Sequence, residues 1–160
     1  MGLRLGFEAK LYLCAAGIGG TPTWTEVKAV KDVTLNISAS EADVSTRGNG
    51  GWKAVLGALK EGTVEFDMPW DTAADGFSAL RDGFFNSTAV GLAVMDGDIT
   101  TAGSQGLWAD CAILKFDRQE KLAEDITVSI SAKPTYSANA PQWKTIAAQG
   151  GEGGGEGGGQ

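Results

Sequence analysis

The feature of this sequence that most constrains its fold is a period-two alternation of apolar and polar residues in six separate segments. Successive side chains of a β-strand point to opposite faces of the sheet, so each alternating segment predicts a strand with one buried face. Several one-sided strands in succession are typical of antiparallel sheets, which predicts a sandwich or a barrel. The apolar sets are Phe7, Ala9, Leu11 and Leu13; Val33, Leu35 and Ile37; Val64, Phe66, Met68 and Trp70; Val90, Leu92 and Val94; Ala112, Leu114 and Phe116; and Ile126, Val128, Ile130 and Ala132.

One segment departs from this period and predicts an α-helix. Between Asp71 and Asn86, four apolar residues are spaced four, three and four positions apart, which forms one stripe on a helix. Thr72 followed by Asp75 has the form of a capping box at its start. Two glycines within the segment weaken the helix by about 1 kcal/mol each, so it must pack against the sheet. The stripe is Ala73, Phe77, Leu80 and Phe84; the candidates for internal packing or a subunit contact are Phe77, Leu80, Arg81 and Phe84.

A long polar connection separates two of the predicted strands. It runs from Ser38 to Gly51, ends in a run of glycines before Trp52, and is long enough to predict a functional loop. The fold class is therefore mainly β (α+β): an antiparallel β-sandwich or barrel with one flanking α-helix and a long inter-strand loop. We expect one domain over residues 1–149, followed by a flexible Gly/Glu-rich tail over residues 150–160.

Composition excludes most chemistry. The net charge is −7 and no cluster of Lys and Arg is present, which argues against wrapping around duplex DNA through its phosphates. The chain has no histidine, and Cys14 and Cys111 are too few for a zinc site, so we expect them to be buried free thiols. No apolar stretch approaches the roughly 20 residues that span a bilayer. We expect no catalytic residue, no metal, no cofactor and no membrane partner.

One polar strand face is acidic. Thr34, Asn36, Glu65 and Asp67 occupy the outward positions of two predicted strands. In a monomer, an unpaired acidic face of this kind contributes only to solubility. If the sheet borders a channel, the same face gives that channel a negative lining.

Four segments, taken in order, carry a family resemblance. They are Trp24 to Ser38, a strand; Ala42 to Trp52, a long polar loop; Gly57 to Trp70, a strand that runs into the acidic start of the helix; and Asp125 to Lys133, a late strand. Their order resembles the tail tube protein of long-tailed, non-contractile phages (siphophages), over most of Leu3 to Tyr136. No single motif among them is diagnostic.

The resemblance implies a structural, non-enzymatic protein of the virion tail that is assembled in the host cytoplasm. Proteins of that family form hexameric rings that stack into a tube around a tape-measure protein, with tail tip and terminator proteins at the ends. Double-stranded DNA passes through the bore without specific binding. By analogy, the loop residues Glu41, Asp43, Arg47, Asn49 and Trp52 would contact a neighbouring subunit or ring, inner strands would join those of adjacent subunits, and Thr34, Asn36, Glu65 and Asp67 would face the lumen.

The sequence is also compatible with two other functions. Five tryptophans and open polar loops are compatible with a monomeric β-sandwich module that binds a carbohydrate or another small ligand. In that module Trp24, Trp52 and Trp143 lie near loops, whereas Trp70 lies on an apolar strand face and is expected in the core. A ring protein of the bacterial type VI secretion tube, whose fold is similar, is the other alternative.

Overall fold

The computed structural model describes residues 3 and 5–147, so the predicted tail over residues 150–160 lies outside the described residues. Two 3₁₀ turns, Gly6–Glu8 and Arg47–Asn49, accompany one helix and eight strands in the described part. The strands and helix are β1 (Lys10–Cys14), β2 (Thr25–Glu26), β3 (Val33–Asp43), β4 (Val55–Pro69), α1 (Phe77–Phe85), β5 (Val90–Met95), β6 (Gln105–Gln119), β7 (Thr127–Pro134) and β8 (Gln142–Thr145).

The strands form one antiparallel sheet in the order β2-β1-β5-β6-β7-β4-β3, with β8 added on β6. The long strand β6 changes partners along its length: its first half pairs with β5 and β8, and its second half pairs with β7. A bulge between Ile113 and Lys115 lies within the β7 pairing, and a bulge increases the local bend and twist of a strand. The sheet therefore curls into a half-barrel, which confirms the predicted fold class.

The core fills the concave side of the curled sheet. Its buried residues come from β1 and β5 on one side and from β4 and β7 on the other, and two side chains of α1 join them. The fully buried large side chains include Leu11, Val64, Met68, Phe77, Leu80, Leu92, Val128 and Ile130. The predicted alternation on β4 and β7 is confirmed for the residues within the strands, because their apolar positions lie on this side, whereas Ile126 precedes β7 and is exposed.

The helix begins later than the sequence predicted. The predicted capping box is wrong: the residue before the helix is Gly76, with φ 84°, and no side chain caps it. Asp71 instead accepts a hydrogen bond from the amide of Ala73 (3.0 Å), which holds residues 71–76 in turns. Ala73 is exposed and outside the helix, so the apolar stripe contains only its last three predicted members.

The first strand is also shorter than predicted and is buried on both faces. Phe7 lies in a 3₁₀ turn and is exposed, so the first residues of the predicted apolar set do not join the sheet. Tyr12, predicted to face outward, lies in a second apolar cluster with Ala93 and Met95. Its hydroxyl oxygen accepts a hydrogen bond from the Ile99 amide (3.1 Å), and burial raises the pKa of this phenol. The loop after β5 thus covers a face that the sequence indicated was solvated.

The predicted inward face of β6 is wrong for Ala112 and Leu114 and confirmed for Phe116, because a bulge between Ile113 and Lys115 shifts the phase of the strand. Before the bulge, Cys111 and Ile113 point into the core, and Leu114 is largely exposed. After the bulge, Phe116 packs against the core again. An extra residue in one strand moves every later side chain to the opposite face, and no alternation pattern reveals it.

A buried carboxylate joins two surface segments to the middle of the sheet. Asp110 is 6% exposed, and one of its oxygens accepts a hydrogen bond from the Ile18 amide (2.8 Å). The other oxygen accepts from the Ser137 hydroxyl, and the Asp110 carbonyl accepts from the Thr135 amide. These bonds anchor the turn after β1 and the chain that leads to β8, because a buried carboxylate without such donors would be strongly destabilising.

Replacing Phe77 with alanine tests the packing role of the helix. Phe77 is fully buried and its ring centroid lies 5.0 Å from that of Trp70. We expect Phe77→Ala to lower the free energy of unfolding by about 3–5 kcal/mol, measured by denaturant titration. The matched control is Phe85→Ala on the exposed side of the helix, with an expected loss below about 1 kcal/mol. Equal losses would contradict this placement of the helix.

The buried thiol of Cys111 gives a second prediction. Burial raises its pKa to about 12, and the neighbouring Asp110 charge adds to the shift. Because only the thiolate is nucleophilic, we expect Cys111 to resist alkylation by iodoacetamide at pH 8 until the protein unfolds. In the unfolded chain the thiol titrates near pH ~8.5, so this group's contribution to stability is complete below that pH and is lost as the pH rises toward 12. Wild type should therefore lose more stability than Cys111→Ala over this interval; identical pH profiles would contradict the assignment.

Candidate assembly surfaces

The longest hairpin of the protein extends beyond the sheet. Strands β3 and β4 pair from Val33–Phe66 to Asp43–Val55, whereas β4 pairs with β7 only from Val64 to Pro69. Residues 37–62 therefore form a two-stranded ribbon with a loop at its end, which we call the arm. At about 3.3 Å per residue, its β4 side projects roughly 25 Å from the sheet.

The arm exposes large apolar side chains. An isolated two-stranded ribbon is marginally stable in water, and a contiguous exposed apolar surface marks an interaction site. Trp52 at its end is 81% exposed and Leu59 is 83% exposed. The full set of exposed large apolar residues on the arm is Ile37, Val44, Trp52, Val55, Leu56 and Leu59.

The loop at the end of the arm is shorter than predicted and is held by local hydrogen bonds. The first part of the prediction is wrong, because Glu41 and Asp43 lie in strand β3 and the loop begins at Val44. The segment from Ser38 to Asp43 is polar or small on both faces, so no alternation identified it as a strand. The Ser45 amide donates to Asp43 (2.8 Å), and the Ala54 amide donates to the Ser45 hydroxyl (2.8 Å). The Ser45 donors lower the pKa of Asp43, which stays ionised.

The other predicted loop residues lie where the sequence placed them. Arg47 and Asn49 form the 3₁₀ turn of the loop, and Trp52 follows two glycines. Gly50 and Gly51 have φ values of 62° and 87°, which side-chain-bearing residues rarely adopt. These glycines set the position of Trp52 at the end of the arm.

The four predicted lumen residues share one face of the sheet. The register aligns Thr34 with Glu65, Ser131 and Lys115 in one row across four strands, and Asp67 with Ser129 and Asp117 in the next. The Ser129 hydroxyl donates to Asp67 (2.6 Å), and Lys115 lies 3.4 Å from Asp117. Asn36 extends the same face on β3. The carboxylates of this polar face are Glu61, Glu65, Asp67 and Asp117, and its amines are Lys115 and Lys133.

The helix candidates divide into packing and surface residues. Phe77 and Leu80 are fully buried, so their side chains pack inside the subunit. Phe84 stacks on Phe116 at 6.1 Å, and Arg81 bonds to the adjacent Asp82 at 3.1 Å. The sequence stripe missed Phe85, which is 70% exposed, because it lies one position outside the helical period.

The tryptophans likewise divide into residues that pack within the subunit and residues at its surface. Trp70 packs against the core, as predicted. Trp24, which the sequence placed near a loop, packs edge-on against Trp108 at 5.0 Å in the second cluster. Trp143 is half-exposed on β8, where its indole nitrogen donates to Gln105 (2.9 Å). Trp52 and Trp143 thus lie on separate elements, and Trp24 packs against another side chain of its own subunit.

A groove of about 700 Å³ lies between β1 and β3, where the two ends of the curled sheet approach each other. Its floor is apolar and its rim is charged. Lys10 on the rim lies 3.1 Å from Glu26, and its ammonium pKa is raised by this partner. The floor includes Leu11, Val27, Val30, Leu35 and Val94; the rim includes Lys10, Glu26, Lys28, Lys31 and Asp32.

The described residues hold no group of three or more His, Cys, Asp and Glu side chains suited to a metal ion. Within residues 3 and 5–147, the one helix is too short and too polar to cross a membrane.

No protein-family model and no curated protein matches the chain. Solved structures do match its fold. The tail of an empty gene transfer agent particle, determined with C6 symmetry, matches with a TM-score of 0.69 and 17% identity over 89% of this chain and 100% of that chain. The virion of a native gene transfer agent particle matches with a TM-score of 0.68 and 16% identity over 89% and 100%.

The SPP1 tail tube matches with a TM-score of 0.70 and 10% identity, over 91% of this chain and 81% of that chain. These identities are low, and the similarity extends over nearly the whole described chain. The protein therefore has the fold found in these tail structures.

Proposed function

We propose that this protein is the structural subunit of a tail tube, in which rings of six copies stack into a hollow conduit for DNA. The observation that carries the proposal is the arm, a two-stranded ribbon that carries exposed large apolar side chains and projects roughly 25 Å beyond its own sheet. In a monomer this surface would face water over its whole length, whereas in a ring or a stack of rings it is covered by a neighbouring copy.

The fold supports the same proposal. One of the matching structures is a tail with C6 symmetry and another is a tail tube, which is the source of the ring of six in our proposal. The free edges of β2 and β3 end the sheet on either side in the described residues. Closure of a ring through such edges would pair their unsatisfied backbone groups and remove the risk of uncontrolled aggregation.

The polar face is assigned to the lumen. Hydroxyls from Thr34, Ser129 and Ser131 make it hydrophilic, and its carboxylates outnumber its amines. Repeated around a ring, such a face repels the DNA backbone at short range and offers no phosphate-binding cluster. DNA would therefore move through the bore without being held.

The remaining parts of the proposal follow from the resemblance to siphophage tails. The subunit is non-enzymatic, belongs to the virion tail of a non-contractile phage, and assembles in the host cytoplasm. Its tube surrounds a tape-measure protein and ends at tail tip and terminator proteins.

Removing the end of the arm tests the assembly role. Because Asp43 faces Val55 in register, residues 44–54 can be replaced by Asn-Gly, which closes the two strands with a tight turn. We expect the shortened protein to keep its circular dichroism spectrum and melting temperature and to form no rings or tubes by negative-stain electron microscopy and light scattering. Wild type at the same concentrations should form them.

A second variant keeps the length of the arm and removes only the side chains of the loop at its end. We expect the protein in which a Gly/Ser loop of equal length replaces residues 45–53 to fold and also to fail to assemble. In this variant the arm keeps its length and loses only the contacts that the loop side chains make. Normal tubes from either variant would contradict the assembly role of the arm.

Reversing charge on the polar face tests the lumen assignment. Glu61 and Glu65 are exposed and make no ion pair within the described residues. We expect tubes of Glu61→Lys/Glu65→Lys, assembled with short duplex DNA, to hold that DNA in a nuclease-protected form at low salt and to release it at high salt. Wild-type tubes should retain none.

The matched control for this experiment moves the same charge to the β6–β7 connection. Tubes of Glu120→Lys/Glu124→Lys carry the same net charge, and any DNA they bind should stay accessible to nuclease. Equal protection by the two variants would argue that the polar face does not line the bore.

A further inference from the structure

The arm and the groove are two unpartnered surfaces of one chain, and their chemistry is complementary. The groove between β1 and β3 has an apolar floor that includes Val30, Leu35 and Val94. On its rim, Lys10 lies 3.1 Å from Glu26 and 3.6 Å from Asp98, so this end of the rim is charge-balanced. In the segment between β2 and β3, Lys28 and Lys31 lie beside the single carboxylate of Asp32 and make no ion pair within the described residues, which gives this stretch of the rim a local excess of positive charge.

The outer half of the arm carries the opposite charge on one face. The register places Glu41 opposite Gly57 and Asp43 opposite Val55, so both carboxylates and the Val55 side chain project from the same face. Neither carboxylate makes an ion pair in the described residues. Gly57 adds no side chain, so this face presents two carboxylates around the exposed apolar side chain of Val55.

The arm cannot reach the groove of its own chain. Leu35 lies in the groove, and Glu41 lies six residues further along the same strand. Six residues of extended strand span about 20 Å, and the ribbon leads away from the sheet. The arm's outer half can therefore enter this groove only in another copy.

We propose that the groove between β1 and β3 receives the outer half of the arm of a second copy, with Glu41 and Asp43 of the arm facing Lys28 and Lys31 of the groove. The inference rests on the proposed function, because it supplies the contact by which one tube subunit binds the next. The contact joins two different surfaces, so it is head-to-tail and repeats around a ring or along a stack. The apolar floor supplies the buried area, and the charges set the register of the arm.

Charge exchange between full-length chains tests the contact. Variant X carries Glu41→Lys and Asp43→Lys, so both of its surfaces are positive. Variant Y carries Lys28→Glu and Lys31→Glu, so both are negative. We expect self-association of X alone and of Y alone to weaken on the order of 100-fold, because like charges then meet at every contact.

An equimolar mixture of X and Y should associate again. The positive arm of X fits the negative groove of Y, and the negative arm of Y fits the positive groove of X. Sedimentation velocity at low salt measures this association, and electron microscopy shows whether rings or tubes form. Lys121→Glu, in the β6–β7 connection, is the matched control and should assemble as wild type does.

The outcomes separate the two proposals. Failure of the X and Y mixture to associate would overturn the groove assignment, and wild-type tubes in the same experiment would leave the proposed function intact. Association of X with Y, with no rings or tubes from wild type, would support the groove assignment and contradict the tube. Unchanged assembly of X or of Y alone would also overturn the assignment.

Discussion

The structure depends on the backbone pairing of β6. This strand bonds to β5 and β8 along its first half and to β7 along its second. It therefore connects the strands β2, β1 and β5 to the strands β7, β4 and β3 of the curled sheet. Its bulge lets one continuous strand bend through the turn that the half-barrel needs, because the extra residue breaks the flat ladder locally. The core, the helix that packs on it and the groove at the open side all follow from this curl.

An open curl leaves two free sheet edges. A closed barrel would have no sheet edges and no groove, whereas here β2 and β3 end the sheet in the described residues and border the groove. The strand at one of these edges continues into the arm, so the exposed apolar side chains of the arm begin beside the groove. The arm lacks neighbouring strands of its own, and in the proposed assembly a second copy would supply the contacts that stabilise it.

Electrostatics divides the molecule into distinct faces. The core holds no charged side chain, the polar face combines hydroxyls with an excess of carboxylates, and the groove rim carries Lys28 and Lys31, which make no ion pair in the part of the chain that the structure describes. The net charge of −7 alone does not separate these regions. Most surface ion pairs of the protein join residues close in sequence, such as Lys121 with Glu124 and Arg118 with Glu120, and pairs of this type add little stability.

The amino-acid sequence by itself determined the antiparallel β class, the single helix, the burial of both cysteines and the shared polar face of Thr34, Asn36, Glu65 and Asp67, because period and composition are local properties. Only the tertiary structure decided the phase of β6 after its bulge, the burial of Tyr12, the packing of Trp24 against Trp108, and the extension of β3 through Glu41 and Asp43. Each of these depends on a partner distant in sequence. Strand pairing can place a polar, non-alternating segment such as Ser38 to Asp43 in a ribbon because the partner strand satisfies its backbone groups, and no residue pattern within the segment carries that information.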